Sequence, residues 1–106
     1  MPKYLLQVNY TLDGVRGVLA KGGSARRAAA QAAVESVGGT LESLYFAFGG
    51  TDAFAVADLP DHRAAAALAL TVSGSGGATV NTVVLLTAEE IDAAAQQAVA
   101  YTPPGQ

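Results

Sequence analysis

Tyr45 to Pro60 reads YFAFGGTDAFAVADLP. Two short apolar runs flank the corner Gly49-Gly50-Thr51-Asp52. Runs of this length around Gly and Asp predict a β-hairpin, here one whose connection uses the backbone freedom of glycine. On the near side, Leu44, Phe46 and Phe48 share one face of a strand from Thr40 to Phe48, and Tyr45 points the other way. On the far side, Ala53, Ala55 and Ala57 share one face of a strand from Ala53 to Asp58, with Phe54 and Val56 opposite.

Before the hairpin, Lys3 to Tyr10 alternates: Tyr4, Leu6, Val8 and Tyr10 on one face, Leu5, Gln7 and Asn9 on the other. Thr11 to Lys21 is a short helical or irregular piece ended by Gly22-Gly23. Ser24 then serves as the N-cap of a long helix from Ala25 to about Val37, stopped by Gly38-Gly39. After the hairpin, Asp61 caps a second helix that runs through about Val72 and gives way to the loop Ser73 to Gly77. Ala78 to Leu86 is a fourth strand, rich in β-branched residues. Thr87 and Glu90 form a capping box at the start of a last helix, expected to run to about Ala100. The tail from Tyr101 to Gln106 is too rich in Pro and Gly for regular structure.

The order β-α-β-β-α-β plus a C-terminal helix predicts an α+β, ferredoxin-like single domain over residues 1–106, a four-stranded antiparallel sheet with helices on one face. Two helices leave the other face bare. Yet strand four sets Val80, Thr82, Val84 and Leu86 against Thr79, Asn81, Val83 and Leu85, so neither of its faces is strongly polar. A second copy's sheet stacked about 10 Å away would cover the bare face. The expected partner is therefore a homodimer mate.

Composition agrees. The chain is 51% hydrophobic and 14% charged, against about 25% charged in an average soluble domain. Interface cores are depleted of charge. No apolar run is long and unbroken enough for a membrane span. A net charge of −3 argues against nucleic acid and anionic membrane surfaces as partners. Cysteine is absent, which removes disulfides and thiolate metal sites. The opening MPKYLLQV has too short an apolar run for a signal sequence, so a cytoplasmic protein is the expectation.

The whole chain resembles the GYD family of small bacterial and archaeal proteins. The matching segments are PKYLLQVNYT, LESLYFAFGGTD, ADLPD, VLLTAEEID and YTPPG. The resemblance implies the dimeric α/β-barrel superfamily, in which two ferredoxin-like sheets pack face to face. The family's Gly-Tyr-Asp triplet reads Gly50-Thr51-Asp52 here, so any role of that aromatic ring is lost or altered. The superfamily spans cofactor-free monooxygenases, heme-degrading enzymes, isomerases and ligand sensors, and fold alone selects none of them.

Few residues can carry chemistry. Asp52 reads as a turn residue bonding nearby backbone N–H groups, or as a carboxylate at a cleft mouth. His62, the only histidine, reads as an exposed first-turn residue beside a cap, or as an acid/base or single metal ligand. One histidine and no cysteine make a transition-metal or heme site improbable, and no cofactor is expected. Arg16, Lys21, Arg26 and Arg27 crowd into twelve residues around Gly22-Gly23-Ser24, a candidate site for a small carboxylate or phosphate. The alternative leaves these arginines solvated, or pairs them with Glu35, Glu42 or acids of another subunit. Tyr10 and Tyr45 can line a cleft or pack at an interface. The ligand-binding candidates are thus Arg26, Arg27, Tyr10, Tyr45, Asp52 and His62. The leading expectation is a ligand-binding or sensory dimer. Alternatives are a cofactor-independent oxygenase- or isomerase-like enzyme and a structural assembly protein.

Overall fold

A computed structural model describes all residues from Met1 to Gln106. The elements are β1 (Lys3–Tyr10), α1 (Leu12–Ser36), β2 (Thr40–Phe46), β3 (Ala53–Asp58), α2 (His62–Gly74), β4 (Ala78–Leu85) and α3 (Ala88–Ala95). The four strands form one open antiparallel sheet of order β2-β3-β1-β4. The expected α+β class with a four-stranded antiparallel sheet is met, with three helices.

The alternating pattern sorts the sheet into two faces. Tyr4 and Leu6 of β1, Ala53, Ala55 and Ala57 of β3, and Leu44 of β2 are buried. They pack with Val34 of α1 and with Ala65 and Leu68 of α2 in a single core. Leu41 joins the same face although it lies three residues from Leu44, where strict alternation would oppose them. A bulge between Leu41 and Ser43 corrects the phase, placing Leu41 opposite Ala57 and Leu44 opposite Ala55.

The bulge also releases Glu42 from the ladder. Its carboxylate accepts from Lys3 Nζ at 2.8 Å, and Asp58 accepts from the same ammonium at 2.9 Å. These two bonds raise the Lys3 pKa above its ordinary 10.5. The folded chain therefore holds this proton more tightly than the unfolded chain. The stabilisation is complete below about pH 10.5 and is lost as pH rises through the raised value. Urea unfolding of wild type and Lys3→Met should show a stability gap that is constant from pH 7 to 9 and closes above about pH 10.5. A gap independent of pH up to 12 would show that Lys3 contributes only through its aliphatic stem.

Glycine ends α1 as expected. Gly38 takes φ of 84°. Its N–H donates to the Glu35 carbonyl, and the Gly39 N–H donates to the Val34 carbonyl, both at 3.0 Å, the pairing of a Schellman motif. Asp61 caps α2, accepting from Ala64 N at 2.8 Å. Thr87 and Glu90 close the capping box of α3 through bonds of 2.9 and 3.1 Å.

Four expectations are corrected. The hairpin glycines Gly49 and Gly50 do not take positive φ; only Gly22, Gly38, Gly76 and Gly105 do. The β2–β3 connection spans residues 47–52, and so wide a loop can turn without left-handed residues. β2 stops at Phe46, and Phe48 lies in that loop fully exposed. The break in the first helical region falls at Gly22 (φ 83°, ψ 173°), so Ser24 sits inside α1 rather than capping a separate helix. Finally, α3 ends at Ala95, short of Ala100. It has no buried residue, and a helix this short gains little without packing.

Much of the chain lacks intramolecular cover. Only 12 of 106 residues are buried, and Tyr45, Val83, Leu86, Ile91 and Tyr101 are exposed. The radius of gyration is 16.8 Å, against about 13 Å for a compact chain of this length. No helix is long and apolar enough to cross a membrane.

Candidate functional site

Alanine decides where space remains. Ala30 and Ala33 of α1 face Ala53 and Ala55 of β3 across the core. Methyl groups on both sides cannot fill the gap between helix and sheet. A cavity of about 100 Å³ remains, lined also by Leu68 and Val72 of α2. Of the sixteen residues lining it, Arg26 alone is charged. The Arg26 Nε is buried and has no hydrogen-bond partner.

Arg26, Tyr10, Val72 and Ala78 also border a second, adjoining cavity of about 410 Å³. This one is polar, with Lys21, Thr71 and Ser75 on its wall. Arg26 thus stands where an apolar pit meets a polar vestibule. The expected alternative partners do not reach it. Glu42 is held by Lys3, Glu35 accepts from Gln31, and neither Arg26 nor any other arginine forms an ion pair within the chain.

Tyr10 is the hinge of this region. It lines both cavities and a third of about 390 Å³ shared with Asp52, Val15 and Phe46. Its backbone N–H donates to Asp52 Oδ2 at 2.9 Å. Asp52 further donates its N–H to the Val8 carbonyl and accepts from Ala47 N. The Asp52 carboxylate therefore fastens the hairpin loop to the end of β1, in keeping with its reading as a turn residue.

The remaining candidates lie elsewhere. Arg27 is exposed and borders none of these cavities. Tyr45 is 72% exposed on the face of the sheet that carries no helix. His62, at the start of α2, borders a separate cavity of about 240 Å³. The structure brings Arg26 and Tyr10 together, ties Asp52 to Tyr10 through the backbone, and leaves Arg27, Tyr45 and His62 apart.

His62 has a partner that strand periodicity does not reveal. The buried Tyr4 hydroxyl lies 2.6 Å from its Nδ1, with the rings edge to face at 84°. When Tyr4 donates, Nδ1 accepts and the other ring nitrogen carries the proton. Thr82 borders the same cavity, and its Oγ1 is buried without a partner. Periodicity places Tyr4 in the core. The hydroxyl's need for a partner is the signal that points further. No three His, Asp or Glu side chains converge in a group able to hold a metal ion.

The family model described as GYD domain matches residues 4–95. No curated protein and no solved structure matches the chain.

Proposed function

The chain belongs to the GYD domain family, and on that footing we propose that it is a small-molecule-binding protein that works as a homodimer and takes an anionic ligand beside Arg26 and Tyr10. The sheet order β2-β3-β1-β4 supports a ferredoxin-like fold. The half-buried Leu5, Phe54 and Val56 on the bare face support its pairing with a second sheet into a dimeric α/β barrel.

One observation carries the ligand site: Arg26, the one charged residue on an otherwise apolar cavity, has an Nε that is buried without a partner. A buried, unpartnered donor is unfavourable by about 1–3 kcal/mol, and by more on a charged group. An anion would satisfy it through a charge-assisted, side-on pair.

Thermal unfolding with millimolar small carboxylates and inorganic phosphate tests this. At a hundredfold excess over Kd, a bound anion should raise Tm on the order of 10 °C in wild type. Arg26→Gln should remove the rise. A wild-type Tm indifferent to every anion in the panel would overturn the reading.

The Tyr4–His62 pair favours a second reading, a cofactor-independent acid–base enzyme. It requires turnover of a small organic substrate that His62→Gln abolishes and Arg27→Gln does not.

A further inference from the structure

We propose that the anion is a monocarboxylate with a compact apolar body of about three or four carbons, its carboxylate on Arg26 and its body in the cavity between α1 and the sheet. This rests on the reading of the Arg26 region as a ligand site and adds what the ligand must be.

The body is set by the cavity. About 100 Å³ is room for roughly three or four carbon-sized groups, since an engineered apolar cavity of about 150 Å³ accepts benzene. Apart from Arg26, its lining carries no charge, and Leu6, Leu44, Ala53, Ala55 and Leu68 form a buried part of it. Such a space gives a polar body no hydrogen bonds and strips its water. A hydrocarbon body loses nothing there and gains by leaving water.

The charge is set by Arg26. It is the single charged residue on the pit, and the same residue borders the vestibule. One guanidinium neutralises one carboxylate, and the planar fork matches planar oxygens. Inorganic phosphate has no apolar part to fill the pit, so it forgoes the gain that a hydrocarbon body makes there. Lys21, Thr71 and Ser75 on the vestibule wall keep the outward side of the carboxylate in polar surroundings.

The geometry therefore demands both ends of the ligand at once, and a chain-length series separates them. Isothermal titration of the full-length protein with acetate, butanoate, pentanoate, hexanoate, octanoate and inorganic phosphate at constant ionic strength is the experiment. The expected result is a Kd that tightens about fourfold per methylene from acetate to pentanoate, on the order of fiftyfold in all, with no further gain by octanoate and weak phosphate binding. Arg26→Gln should weaken pentanoate at least ~tenfold through loss of the charged pair.

Ala30→Leu places three more carbons against the cavity and should collapse the pentanoate-to-acetate ratio to below about fivefold. Should that variant fold poorly, Ala30→Val asks the same question with less bulk, and the wild-type series stands without either. A flat series, or phosphate binding as tightly as pentanoate, would overturn this proposal while leaving an anion site at Arg26 intact. Failure of every anion to bind would overturn both.

Discussion

Val56→Asp is expected to convert a dimer into a monomer. Light scattering should give twice the 10.6 kDa chain mass for wild type and the single-chain mass for the variant. Val56 stands on β3, an inner strand, opposite Leu5 of β1 on the face that no helix covers. In the proposed sheet-to-sheet dimer, two-fold symmetry would place an aspartate from each copy in the same interface. Neither has a cation within its own sheet, because the one lysine on that face, Lys3, is held by Glu42 and Asp58.

Burying two unpaired carboxylates is disfavoured by about 4 kcal/mol or more, at least ~a thousandfold in Kd. Leu70→Asp is the control. Leu70 is 74% exposed on α2, away from the bare face, and this change should leave the mass unaltered. A wild-type monomer at 100 μM or so, or a Val56→Asp protein that stays dimeric, would overturn the sheet-to-sheet assembly.

Gly39→Ala should lower the thermal midpoint by more than ~10 °C, a loss of about 3 kcal/mol. The Schellman turn delivers Gly39 into a buried corner between α1 and β2. A Cβ there would sit 2.5 Å from the Asp58 carbonyl oxygen and 2.6 Å from Leu59 Cδ2. Neither neighbour can yield. Asp58 is paired on both sides, with Lys3 and with Thr40, and Leu59 is fully buried.

Gly38→Ala makes the informative comparison. Its φ of 84° strains any L-residue, but the nearest atom is Pro60 Cγ at 3.3 Å. That change should lose only about 1 kcal/mol. Measured at equal protein concentration, a Gly39→Ala midpoint within 2 °C or so of wild type would mean that the α1–β2 turn does not approach the end of β3 this closely.

The candidate site was partly legible in the chain. The basic cluster drew attention to Arg26, but charge density weighs Arg26 and Arg27 alike. Helical geometry separates them, since neighbouring residues lie about 100° apart around the axis, so Arg26 turns toward the core while Arg27 meets solvent. The cavity also had a sequence signal: alanines at helical spacing in α1 and alternating alanines in β3 leave two small-residue surfaces. Only their opposition across the core shows that the space between them stays open. Asp52 reads from the sequence as a turn residue or a cleft-mouth carboxylate, and its bond to the Tyr10 backbone spans 42 residues, a distance no local pattern encodes.

Periodicity and punctuation by themselves determined the strands, the helix order, the cap at Asp61, the capping box at Thr87 and the stop at Gly38-Gly39. Each is a local choice, made by side-chain alternation or by backbone groups within four or five residues. The limits of β2 and α3, the bulge at Glu42, the lone position of Arg26 and the Tyr4–His62 bond were decided by tertiary structure. They depend on which surfaces meet: a strand ends where its ladder partner ends, a helix with no surface to pack against stays short, and a polar atom's partner is whichever group the fold carries to it.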